Sequence, residues 1–249
     1  MSEELEYFEE APAPPPSGME MTAIETWIAA VTKPNVETFQ KIAGQSGATM
    51  GKAFLWVALS ALITAFMGAI SQTARSGQSM EMMRNILPPE IAREIPMGSG
   101  GGGFAAGISA LFCGAPLGTI LGVLFFAIGV ALILWVAKLF GGNGEFDKLA
   151  YVFAAIMVPI AVVNAGLSLL GMIPFIGLLF GLVSFGVSIY SLVLHVFATQ
   201  AVTGLDTGKA AASVLLPGLV VFLFICCCVI LFGAIFGVAM GDALGQMNF

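Results

Sequence analysis

The chain contains one histidine, His195, and it lies inside a long apolar run. An ionisable group at membrane depth marks function by default, so His195 is the first residue to weigh. Its nearest candidates for joint chemistry are Ser168, in Gly166-Leu167-Ser168, and the amides of Asn164 and Gln200. A nucleophile and its base must come within about 3 Å. Ser168 precedes a Gly171-Met-Ile-Pro174 turn by a few residues, about 6 Å of helix. His195 follows that turn by about 30 Å of helix. The two sit toward opposite faces of a membrane, which excludes an intramembrane serine protease. Zinc needs three or four ligands, and the apolar runs hold one histidine and no carboxylate. Coupled transport usually places Asp, Glu or Arg within the membrane, and these runs have none. His195 therefore reads as a hydrogen-bonded interior residue near the cytoplasmic end. Asn164 reads as a helix-to-helix hydrogen bond worth about 1 kcal/mol. Pro159, five residues before Asn164, is about 140° around the same helix and is expected to kink it.

The remaining motifs are structural. Cys226, Cys227 and Cys228 are adjacent within an apolar segment and read as small helix filler. The glycine run Gly98–Gly103 lacks the strand and the Gly-Lys ending of a phosphate-binding loop. No catalytic residue, metal site or cofactor is expected. Small-xxx-small pairs occur at Gly118/Gly122, Gly177/Gly181 and Gly233/Gly237/Gly241, and they permit close helix approach. The last series lies on one helix face and is the candidate seam of a homo-oligomer.

These residues are carried by an unusually apolar chain. Apolar residues make up 58% of 249 and charged residues only 10%. Soluble domains are nearer 45–50% and about 25%, so the solvent must be a lipid bilayer. The net charge of −6 argues against nucleic acid, which is bound through Lys and Arg. Eight carboxylates precede residue 40, so the acidity belongs to the N-terminal segment.

The fold class follows: an all-α polytopic membrane protein with five transmembrane helices and N-terminal interfacial amphipathic helices. Residues 1–20 form a disordered acidic, proline-rich tail. Residues 21–50 hold two short amphipathic helices broken at Pro34, with Ile24, Trp27, Ile28 and Val31 on one face and then Phe39 and Ile42 on another. They are expected at the membrane surface or packed on the cytoplasmic end of the bundle. Residues 51–249 form the membrane domain, with spans at about 53–70, 117–140, 149–170, 174–200 and 210–240. Residues 71–103 form a polar stretch with a short helix over 81–87. Residues 104–113 could be re-entrant, interfacial or spanning. The loop Gly141–Lys148 carries Glu145, Asp147 and Lys148 and reads as a hinge between spans two and three. Six lysines against three arginines place the N-terminus in the cytoplasm and the C-terminus outside.

Three blocks carry a family resemblance. Trp27 through Lys33-Pro34-Asn-Val-Glu-Thr-Phe39 is one, and Leu139-Phe-Gly-Gly-Asn-Gly-Glu-Phe-Asp147 leading to Pro159 is the second. The third runs from Ile189-Tyr-Ser-Leu-Val-Leu194 to Thr207-Gly-Lys-Ala-Ala211. In order and spacing they resemble the Yip (Ypt-interacting protein) domain family over about residues 25–240, and the chain looks like its compact prokaryotic members. The resemblance implies a non-enzymatic five-span protein with a cytosolic N-terminus. Eukaryotic relatives bind Rab-type GTPases, but their GTPase-linked N-terminal motifs do not match this chain, so that activity is not carried over. The expectation is a membrane scaffold or adaptor, self-associating, with a cytosolic protein partner on its acidic arm. The cell membrane is its expected location if the source is prokaryotic. The alternative is a small-solute transporter or channel-like protein using His195 and Asn164.

Overall fold

The computed structural model describes residues 20–86, 114–171, 173 and 177–245, with side chains for 20–71, 114–171, 173 and 177–230. These residues are all-α. The helices are α1 (Ala23–Thr32), α2 (Val36–Ala43), α3 (Met50–Ile86), α4 (Ala115–Leu139), α5 (Phe146–Leu170), α6 (Gly177–Thr203) and α7 (Thr207–Gly245). Five of them, α3 to α7, include stretches long and apolar enough to cross a membrane. The acidic tail, residues 87–113 and the hairpin residue Pro174 lie outside the described residues.

Each helix start carries a local reason. Thr22 caps α1 in a capping box, with its hydroxyl accepting from Glu25 N–H at 3.3 Å while Glu25 accepts from Thr22 N–H at 2.8 Å. Asn35, just after Pro34, caps α2 by accepting from Thr38 N–H at 2.7 Å. Pro116 stands in the first turn of α4, where a missing N–H costs nothing. Asp147 lies in the first turn of α5, where a carboxylate meets the positive end of the helix dipole.

The expected span at 53–70 coincides with the apolar stretch Met50–Ser71, and its helix α3 continues beyond it to Ile86. The residues beyond Ser71 hold no proline until Pro88, so polarity alone does not end the helix. α7 runs through Pro217, which lies inside the helix.

α5 is the central element, touching α1, α2, α3, α4 and α6, whereas α7 packs on α4 and α6. One main core cluster joins Ala30 of α1 and Phe39 and Ile42 of α2 to Trp56 and Val57 of α3, Leu134 of α4, Leu149–Ile156 of α5 and Leu194 of α6. Those residues come from the starts of α3 and α5 and the later halves of α4 and α6. Successive spans run antiparallel, so the core gathers at one end of the bundle, and α1 and α2 are docked there. α2 presents Phe39 and Ile42 inward, as its amphipathic pattern requires. α1 follows its pattern in part, with Trp27 and Val31 packed against the core. It buries Thr26 and Ala30, while Ile24 and Ile28 remain 63% and 55% exposed. Small residues let α1 approach closely, and the Thr26 hydroxyl is satisfied by donating to Thr22 O at 2.9 Å.

Candidate functional site

The outer face of the packed end is built from α1, α2 and two interhelical loops. An aromatic stack fastens α1 to the bundle. Trp27 meets Trp56 edge-on with ring centroids 5.5 Å apart, and Trp56 lies 4.7 Å from Tyr151. Offset or edge-to-face pairs of this kind add about 0.5–1.5 kcal/mol beyond area burial. Gln45, in the α2–α3 turn, reaches Thr26 Oγ1 at 3.4 Å and accepts from Tyr151 Oη at 3.5 Å. Tyr190 of α6 donates to Val31 O at 2.7 Å. α1 and α2 are thus held by groups from α3, α5 and α6.

The loop between α4 and α5 is a fixed junction rather than the hinge its composition suggests. Gly141 takes φ 91°, with Gly141 N–H on Lys138 O at 3.0 Å and Gly142 N–H on Ala137 O at 2.9 Å. That pair is a Schellman ending, and its positive φ is why a glycine stands there. Asn143 N–H then donates to Thr203 O at 3.1 Å. Gly144 packs so closely that a Cβ would fall 2.8 Å from Thr203 Cγ2 and 3.1 Å from Leu134 Cδ1. The Gly-Gly-Asn-Gly run therefore binds the end of α4 to the end of α6.

Charges decorate this face without burial. Lys148 pairs with Glu145 at 3.0 Å and Lys41 with Glu37 at 2.9 Å. Exposed pairs of this kind contribute under about 1 kcal/mol. Lys41, through its hydrogen bond and then its charge, lowers the Glu37 pKa from its ordinary value. Hydrogen bonds from the Thr22 N–H and then the Thr22 hydroxyl lower that of Glu25. Lys33, Lys41, Lys52, Lys138, Lys148 and Lys209 all fall at this end of the bundle and are exposed.

Of the residues singled out from sequence, Pro34, Glu145, Asp147 and Lys148 lie exposed on this face. Pro159 is half-buried within α5. Asn164 and His195 are elsewhere, at different depths in the wall of one cavity between the apolar helices. His195 Nδ1 lies 2.6 Å from Ser191 O, and its ring stands edge-on to Phe153 at 4.5 Å. The Ser168 hydroxyl donates to Ala165 O at 2.8 Å. Gly233, Gly237 and Gly241 fall where the surroundings of α7 lie outside the described residues.

The sequence reading missed the Thr26–Gln45–Tyr151 network and the partnership of Trp27 with Trp56. Its one available signal was the recurrence of aromatic residues near the starts of α1, α3 and α5. The family model of the Yip1 domain matches residues 28–230. No curated protein and no solved structure matches the chain.

Proposed function

The chain belongs to the Yip1 domain family, and on that footing we propose that it is a non-enzymatic scaffold or adaptor of membrane organisation. Family members are non-catalytic membrane proteins, and five apolar helices make this chain an integral multi-pass protein. The observation that carries the scaffold reading is the preformed face where α1 and α2 are held on the bundle beside the exposed Glu145, Asp147 and Lys148. Such a face presents a fixed charge pattern from a rigid support. The acidic residues 1–19 lead directly into it and supply the second half of a surface for a soluble partner. Clustering of the six lysines at this end supports a cytoplasmic orientation, with the C-terminus outside. Self-association through Gly233, Gly237 and Gly241 is part of the same proposal.

Affinity purification in mild detergent with mass spectrometry, repeated with purified components, tests the reading. Removing residues 1–19, or reversing charge at Glu145 and Asp147, should abolish partner recovery. Asn164→Ala and His195→Ala should leave it intact. Recovery as a bare monomer carrying a small solute, with flux into liposomes lost on His195→Ala, would favour the transporter instead. The described cavity residues include no Asp, Glu, Lys or Arg, which weighs against ion coupling. Protease protection of the N-terminal tail on the cytoplasmic side checks the orientation.

A further inference from the structure

Packing fails between α3 and α4, away from the face just described. A cavity of about 780 Å³ is walled by α3, α4, α5 and α6. A smaller one of about 310 Å³ shares Thr64, Ala161 and Asn164 with it and reaches Ser71 and Ser168. Gly122 marks the last close approach of the two helices, since a Cβ there would lie 3.9 Å from Ala61 Cβ. Gly118 and Gly114, one and two turns nearer the start of α4, meet nothing within 4 Å. The helices part at this point, and the volume is within the size range of small-molecule sites.

The polar groups in the wall define what could enter. Ser60, Thr64, Thr119 and Ser168 donate their hydroxyl protons to carbonyls of their own helices. His195 Nδ1 faces the Ser191 carbonyl, which can only accept, so in the neutral ring Nδ1 holds the proton and Nε2 is a bare acceptor. Among the described residues, neither His195 Nε2 nor the Asn164 amide has a hydrogen-bond partner, and Ser71 Oγ is buried without one. Orphaned polar groups at membrane depth are costly. His195 lies about 12 Å from the α6 end, and Asn164 about 27 Å from the α5 start, so these groups span the middle of the bilayer. A charged headgroup at that depth would find no countercharge, because the described cavity residues carry none.

We propose that this cavity binds an uncharged lipid bearing a hydroxyl group. The hydroxyl donates to His195 Nε2, and the hydrocarbon runs along the cavity past Asn164 and leaves between α3 and α4. Diacylglycerols and long-chain isoprenoid alcohols share this chemistry. The inference is independent of partner binding at the packed end.

The test uses the full chain in phospholipid nanodiscs with a diazirine-bearing diacylglycerol, and labelled peptides are mapped by mass spectrometry. Label should fall within residues 57–65 and 114–122. Gly118→Leu, which meets open space, should block it, and Ala65→Leu serves as a second filling variant. His195→Phe should weaken labelling about fivefold, the effect of one lost hydrogen bond. Unlabelled diacylglycerol should compete and triacylglycerol, which has no hydroxyl, should not. Competition by an isoprenoid alcohol at lower concentration than diacylglycerol would assign the site to that source. Equal competition by triacylglycerol overturns the proposal. So does equal labelling of the same peptides by a diazirine-bearing phosphatidylcholine, or undiminished labelling in a correctly folded Gly118→Leu protein.

Discussion

Along α5, the residues from Ala150 to Ile156 are at most 3% exposed, whereas Val162, Val163, Leu169 and Leu170 on the same helix are 41–53% exposed. One helix thus belongs to two environments. In its first half it is buried on every side, as only a central helix can be. In its second half its apolar side chains are partly exposed and it forms one wall of the cavity. The difference shows that hydrophobicity does not set packing in this protein, because both halves are equally apolar in kind. What distinguishes them is shape and capping. The packed half is closed by α1, α2 and a glycine loop, and the open half has small residues where neighbouring helices could have met.

The largest expected break of this contrast is at Phe39, which is fully buried. Phe39→Ala should destabilise the packed end by about 3–5 kcal/mol, read from equilibrium unfolding in micelles. Leu182→Ala, on the lipid-facing side of α6, should cost far less. Comparable losses at the two sites would remove the distinction. A smaller effect is expected at the glycines. Gly144→Ala forces a side chain into Thr203 and Leu134 and should cost about 1–3 kcal/mol. Gly118→Ala fills open space within a helix and should stabilise the protein by about 0.5–1 kcal/mol. Thr22→Ala removes the cap of α1 and should cost about 1 kcal/mol, seen as faster hydrogen exchange in α1 with no change in α5.

Acid should act on the packed end alone, with the smallest effect. The Glu25 pKa is lowered from its ordinary value by the hydrogen bonds from Thr22, backbone first. A carboxylate depressed in the folded state contributes stability that is present above its unfolded pKa and is lost as pH falls through its folded pKa. Trp27 emission should therefore change below the ordinary carboxylate range, and Glu25→Gln should already show the acid form at neutral pH. An unchanged acid transition in that variant would exclude the capping box as its cause.

Much of the fold was legible in the sequence because charge and proline placement are local signals. The expected spans at 117–140 and 149–170 lie close to α4 and α5, and the amphipathic face of α2 is buried as its pattern demands. The span at 53–70 matches the apolar part of α3, while the helix runs on to Ile86 because polar residues without a proline can extend a helix beyond the bilayer. Of the apolar set Ile24, Trp27, Ile28 and Val31 in α1, Trp27 and Val31 pack against the core. The fully buried positions are Thr26 and Ala30, which only a partner surface can reveal. Gly118 and Gly122 looked equivalent as a helix-contact pair, yet only Gly122 has a neighbour. Asn164 and His195 were recognised singly. That they line one cavity depends on how α5 and α6 rotate against each other, and no single-chain periodicity encodes that.

The Gly-Gly-Asn-Gly junction also has a mechanical meaning. It pins α4 and α6 to each other at one end and leaves their other ends untied by that contact. A helix of the length of α4 reaches about 37 Å. Pivoting about the pinned end, a tilt of about 5° would carry its far tip about 3 Å along that length. Any such tilt would leave the spacing of α4 and α6 unchanged at the junction and alter it most at the opposite end, where Gly118 and Gly114 meet open space.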